Sequence, residues 1–327
     1  MDEALDFIRK NKDNPFFCYL PFTPPHGMYD VPAEEPAWKL YEGEKWMRDP
    51  TVPQDAKNYA VMVSMIDRQL GEVLDLLEHL GLEKDTIVFF TGDNGGQDRF
   101  RSKDRPRGYF GPNLNPRTKV EFRGGKGNLY EGGLRIPFMV RWPGQIAPGQ
   151  VSDFLFYQPD VLPTLTELCG ARTPKEVDGL SILPTLLGEK KAGGKQKSHE
   201  MLYWESGNQV AVRHGLWKAI KPGKHQKWAL YDLSKDLSET EDLSAINSKQ
   251  LAKMKAFADG EHEPVRPGIF LDPERARHNR DRQAKFGFSS VPSEATQQNF
   301  HKLNSPDLLP SDQMRLVYAS SLSLIHI

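Results

Sequence analysis

Four residues in the sequence pair a reactive or ligating side chain with a place where a strand ends or a glycine-rich loop begins: His26, Asp93, Asn94 and Lys126. Asp93 and Asn94 follow the apolar run Thr86 to Thr91 and precede Gly95 and Gly96. A carboxylate beside an amide oxygen is a hard-oxygen pair suited to Ca²⁺, with Mg²⁺ second. Ligands of open α/β sheets bind at the carboxyl ends of strands, where this pair falls. The same residues also make an ordinary turn. His26, after Pro24 and Pro25, can donate to an anion or protonate a leaving group; a structural hydrogen bond is the plainer role. Lys126 lies in a stretch from Gly124 to Pro137 that holds Gly124, Gly125, Gly127, Gly132 and Gly133. Such glycines let backbone approach a ligand while an ammonium points at it. The spacing is not that of a Walker loop, and a solvated surface lysine is the alternative.

From Gln97 to Lys126 the chain carries nine basic residues, Arg99, Arg101 and Arg123 among them, against three acids. A local excess of six positive charges between the acid pair and the lysine would draw an anionic substrate, unless it is merely a solvated basic loop. Over the whole chain, 43 Lys and Arg face 44 Asp and Glu, a net charge of −1. That balance excludes a chain built wholesale to hold nucleic acid or an anionic membrane surface, and no nucleic-acid module is present. No apolar run approaches the ~18 residues of a membrane-spanning helix. The start, Met1 to Lys10, is charged and amphipathic and unlike a signal peptide. Two cysteines, Cys18 and Cys169, exclude a disulfide framework and a Cys-rich zinc module.

The elements that must position these residues follow from periodicity. Residues 58–80 repeat apolar side chains at three- and four-residue steps (Ala60, Val63, Ile66, Leu70, Val73, Leu77, Leu80), which predicts a helix. Residues 16–20, 86–91 and 137–142 read as strands, 161–169 as a short helix and 180–187 as a further short element. Helices alternating with buried strands predict an α/β domain with a mainly parallel sheet flanked by helices. Lys190 to Lys197 is a linker by composition. Beyond it, residues 201–205, 210–220 and 228–233 read as three strands and 248–258 as a helix, a small antiparallel sheet with a helix. The expected domains are 1–190, 191–262, and a polar, Pro-punctuated tail 263–327 of extended or disordered chain.

In order along the chain, these segments resemble the sulfatase family, of the arylsulfatase type within the alkaline-phosphatase-like superfamily. Residues 16–26 resemble the family's strand ending in a substrate-binding histidine. Residues 59–94 resemble the helix and strand leading to its Asp-Asn-Gly metal pair, and 125–137 the segment with its sulfate-binding lysine. Residues 230–243 resemble the signature of its small carboxy-terminal domain, with Leu237 in place of the usual proline.

The resemblance implies an alkaline-phosphatase-like fold and calcium-assisted hydrolysis of a sulfate ester through a formylglycine nucleophile. The substrate it implies is a sulfated small molecule or saccharide, with no nucleic-acid or membrane partner. Asp93 and Asn94 would then hold the metal, and Lys126 and His26 would contact sulfate and assist the leaving oxygen. Arg99, Arg101 and Arg123 would bind substrate. Export from the cytoplasm is implied as well.

Neither cysteine stands in the family's Cys/Ser-x-Pro-x-Arg motif, and residues 290–294 approach it without the arginine. The chain therefore reads as the carboxy-terminal portion of a sulfatase, inactive by itself. A phosphonate or phosphodiester hydrolase of the same superfamily, or a non-catalytic sulfated-glycan binder, are the other readings. Residues 322–327 resemble a translated adapter sequence, and no structural role is expected of them.

Overall fold

The computed structural model describes residues 1–26, 29–97 and 113–264, together with the backbone of 322–326. In chain order the elements are α1 (Asp2–Asn11), β1 (Phe16–Tyr19), α2 (Lys45–Arg48), α3 (Gln54–His79), β2 (Thr86–Thr91), α4 (Glu131–Leu134) and β3 (Phe138–Arg141). They continue with α5 (Val161–Leu168), α6 (Leu183–Leu187), α7 (Glu189–Ala192), β4 (Leu202–Ser206), β5 (Gln209–His214), β6 (Trp217–Lys221), β7 (Ala229–Asp232), α8 (Ser248–Glu261) and β8 (Leu322–His326).

One sheet has the order β1-β8-β2-β3. Alternation along β1 sends Phe16 and Cys18 inward, and Val88 of β2 joins them in a cluster with Ile8 of α1 and Val73 and Leu77 of α3. Ile87 and Phe89 point to the opposite face, where Phe138, Val140, Leu165, Leu168 and Leu186 cover them. Because β2 is covered on both faces, its sequence is continuously apolar rather than alternating. Burial of a side chain such as Ile8 or Leu77, both fully enclosed, stabilises the domain by roughly 1.5–3 kcal/mol. Val63, expected on the apolar face of α3, is 45% exposed. Past Val61 and Met62 the buried face is continued by Val73 and Leu77.

The expected parallel ladder is not what pairs these strands. β1 and β2 run in the same direction, but β8 lies between them and is antiparallel to both, and β3 is antiparallel to β2. Residues 322–326 thus have a structural place that the sequence did not suggest. Two strands lying one strand's width apart each offer backbone N–H and C=O groups that another strand satisfies.

The second sheet, β4-β5-β6-β7, is an antiparallel meander. Residues 210–220, read as one strand, are two. The chain reverses at Gly215 and Leu216, with Gly215 at φ 59° and His214 paired to Trp217. Glycine at the first central position suits the two-residue turns whose twist matches that of a hairpin. One face of this sheet packs Val212, Ala219 and Leu230 against Met254 and Ala258 of α8. The other packs Ala211, Ile220 and Tyr231 against Leu129, Tyr130 and Leu134, the residues just beyond Lys126. The composition-based linker at 190–197 is partly the single-turn helix α7.

Candidate active site

β2 delivers its chain end to the candidate site, and three glycine-containing segments meet there backbone to backbone. Gly95 N–H donates to the Gly133 carbonyl at 2.9 Å, Gly132 N–H to the Arg123 carbonyl at 2.8 Å, and Lys126 N–H to the Gly96 carbonyl at 2.9 Å. Asn113 Nδ2 bridges the carbonyls of Gly96 and Gly132 at 3.2 and 2.9 Å. A Cβ on Gly95 would stand 1.9 Å from the Gly132 oxygen, and one on Gly132 would stand 2.1 Å from the Gly124 oxygen. These glycines are therefore required by close approach. The Lys126 backbone is seated directly on the turn that begins with Asp93 and Asn94.

Within that turn Asp93 is exposed and Asn94 half-buried. Asn94 Nδ2 donates to the Gly95 carbonyl at 3.0 Å, which orients the amide and leaves its oxygen as the group to meet a cation. Calcium takes six to eight oxygens, and Asp93 and Asn94 fit two of those places by chemistry. Among the described residues no group of three or more His, Cys, Asp or Glu forms a metal cluster. Gln158 steadies the end of β2, its Nε2 donating to the Gly92 carbonyl at 2.8 Å. Gln158 is carried by a turn tied to buried Asp160, which accepts from Tyr157 N–H, Leu180 N–H and His199.

His26 comes from β1, which points to the same sheet edge as β2. The residue is exposed, and its backbone N–H donates to the Thr23 carbonyl at 3.0 Å. Tyr29 is tied to the segment that follows the Asp93 turn, its Oη donating to Gln97 Oε1 at 3.1 Å. Asn58 of α3 holds the Tyr29 carbonyl at 2.7 Å.

Arg123 has work away from any substrate. Its Nη1 donates to Tyr231 Oη at 3.1 Å and to the Glu239 carbonyl at 2.9 Å, and its guanidinium lies 4.0 Å over the Tyr130 ring. The expected substrate contact gives way to a junction with the second sheet, because Tyr231 of β7 and Glu239 beyond it bring two oxygens to the guanidinium while Tyr130 offers an aromatic face. Arg99 and Arg101 lie outside the described residues.

A set of buried charges was not anticipated. Lys218 Nζ, fully enclosed, lies 2.8 Å from Glu131 Oε1 and 2.8 Å from Glu239 Oε1. Glu239 Oε2 accepts from Glu131 N–H at 2.6 Å, and Arg135 Nε donates to Glu131 Oε2 at 2.5 Å. Burial pushes the Glu131 carboxyl up, but the Lys218 and Arg135 charges outweigh it and hold the group at about 2. Glu239 is raised, chiefly by burial, with Lys218 opposing and Glu131 adding to the rise. The signal in the sequence was the 230–243 segment, whose Glu239 reaches this cluster.

Residues 1–171 match the Sulfatase family, and residues 125–258 match the carboxy-terminal region of N-sulphoglucosamine sulphohydrolase. The chain belongs to the sulfatase family. It is 33% identical over 233 residues to steryl-sulfatase of Rattus norvegicus, covering 67% of this chain and 35% of that protein. It is 30% identical over 250 residues to N-acetylgalactosamine-6-sulfatase of Mus musculus, covering 75% of this chain and 42% of that protein. The chain thus spans well under half the length of either sulfatase. Among solved structures, one from the multiple-glycosaminoglycan metabolism of Bacteroides thetaiotaomicron superposes with a TM-score of 0.62 at 27% identity, over 78% of this chain and 52% of that one. The structure of Ps i-CgsB with k-i-k-neocarrahexaose shares the fold, with a TM-score of 0.60 at 24% identity, over 95% of this chain and 59% of that one. The fold of this chain is alkaline-phosphatase-like α/β with a small antiparallel sheet. Among the described residues no helix is long and apolar enough to cross a membrane.

Proposed function

We propose that this chain supplies His26, Asp93, Asn94 and Lys126 to a site that hydrolyses sulfate esters, with a sulfated saccharide as the substrate class. The observation that carries the reading is the 2.9 Å hydrogen bond from Lys126 N–H to Gly96. It supports an ammonium and a hard-oxygen pair serving one anion. Lys126 stabilises the non-bridging sulfate oxygens, where charge is held as the sulfuryl group transfers. His26, in its protonated form, delivers a proton to the departing ester oxygen. Asp93 and Asn94 hold calcium through their side-chain oxygens, and the ion when bound supplies fixed positive charge to the sulfate. The saccharide class follows from the N-acetylgalactosamine-6-sulfatase likeness and from the basic sequence between Gln97 and Lys126.

Formylglycine is not accommodated by either cysteine. Cys18 is buried on β1 with its thiol pushed up to about 11 by burial, and neither Cys18 nor Cys169 begins the required motif. No step is derived through that group.

The test is a titration of the purified chain with inorganic sulfate in calcium, followed by NMR at the Gly95, Gly96 and Lys126 amides. Saturable shifts that Lys126→Ala removes and calcium withdrawal weakens are expected. Shifts absent from these three amides would overturn the reading.

A further inference from the structure

The proposed chemistry does not use the buried charges around Lys218. Lys218 lies on β6, Glu239 follows β7, and Glu131 opens α4 five residues after Lys126. Each is fully or almost fully enclosed. Burying one ammonium and two carboxylates is costly, and replacing such a set by apolar side chains is often neutral or stabilising. The arrangement is therefore poor as a source of stability. It is specific in geometry, because every bond in it ends on the glycine loop or on the sheet that faces it.

We propose that Lys218 and Glu239 are positioning residues that set the seat of Lys126. The proposal rests on the reading of Lys126 as the sulfate-holding group. Glu239 is the hinge of the device. Its carboxylate takes the Glu131 N–H, its carbonyl takes Arg123, and its backbone holds φ 53°, a conformation that disfavours a side chain. Lys218 neutralises both carboxylates at once and so fixes Glu131 at the head of α4. Gly132 and Gly133 follow immediately, and these two glycines carry the carbonyls that receive Asn113 and Gly95. Between Lys126 and Glu131, Gln209 grips the Gly127 carbonyl at 2.9 Å and Leu129 N–H at 3.3 Å, while Arg123 is held on the preceding side. The second sheet thus holds the loop on both sides of Lys126, and the loop holds the Asp93 turn. Glu131 carries the tie between them.

Amide hydrogen exchange on the purified 327-residue chain tests this. The native protein is compared with Lys218→Arg and with the triple variant Lys218→Met, Glu131→Gln, Glu239→Gln, which removes the three enclosed charges together and leaves the partly exposed Arg135 to water. In the triple variant, exchange at Lys126, Gly132 and Gly133 should quicken at least tenfold more than at Ala211 and Ile220 in the sheet, with Lys218→Arg intermediate. Inorganic sulfate should bind roughly tenfold more weakly to the triple variant. Loop exchange within twofold of native, or equal acceleration of Ala211 and Ile220, would overturn the proposal, since the charges would then serve the sheet alone. If the native chain shows no sulfate response at all, the functional reading fails, while the exchange comparison still decides whether the clamp exists.

Discussion

Gly95→Ala is the sharpest perturbation of the three-segment junction. The added Cβ would lie 1.9 Å from the Gly132 oxygen and 2.8 Å from both the Gly132 carbonyl carbon and the Gly133 Cα. All three neighbours are backbone, so no flexible side chain can yield. Restoring ordinary contact requires the two segments to part by well over an ångström, which breaks the Gly95–Gly133 hydrogen bond and strains that of Lys126 with Gly96. Overpacking of this kind costs about 1–3 kcal/mol, and one lost hydrogen bond adds about 1 kcal/mol. A destabilisation of about 2–4 kcal/mol is expected, read as a lowered urea midpoint at unchanged slope. Gly71→Ala is the control. It lies in α3 with nothing within 4 Å of the new Cβ, and it should stabilise the protein by about 0.5–1 kcal/mol. Gly95→Ala with a native midpoint and a native sulfate response would refute the close-packed junction.

Other outcomes follow from the same contacts. Lys218→Met alone takes from buried Glu239 the cation it faces and leaves Glu131 with Arg135, and should cost about 3–5 kcal/mol, far more than the triple variant; equal urea midpoints would argue against the pairing. Glu131 titrates at about 2 when folded, below its unfolded value near 4.5. Its contribution is therefore present above pH ~4.5 and is lost as pH falls towards ~2. Urea unfolding at pH 5, 4 and 3 should show this loss, and Glu131→Gln should flatten it; an unchanged slope in the variant would contradict the assignment. Cys18 is buried and Cys169 exposed, so a thiol reagent at pH 8 should titrate one thiol in the native protein and two after denaturation. Two fast-reacting thiols in the native state would count against the β1 packing.

The legible parts of the fold were those in which local pattern and tertiary role agree. The β2 run and its Asp93–Asn94 turn could be read because a strand covered on both faces is apolar throughout, and the end of the run marks the sheet edge. The α3 repeat was likewise visible, although Val63 shows that periodicity gives a face without saying where the neighbouring layer stops. The reversal at Gly215 was hidden because two flanking residues complete the turn inside an otherwise strand-like run. The Lys218–Glu131–Glu239 contacts join residues 87 and 108 positions apart, and buried charges so far apart leave no periodic trace. Arg123 read as substrate-facing because a count of charges cannot tell which way a guanidinium turns. The seat of β8 was invisible for another reason: its partners are the open sides of β1 and β2, strands more than 200 residues earlier.

Asp93, Asn94, Lys126 and His26 are proposed to face one anion. The most direct measurement replaces calcium with a paramagnetic lanthanide and records line broadening across the NMR spectrum. Strong broadening is expected at Asp93, Asn94, Lys126 and the His26 ring, all removed by Asp93→Ala. Broadening at the Asp93 turn that leaves His26 and Lys126 sharp would contradict it.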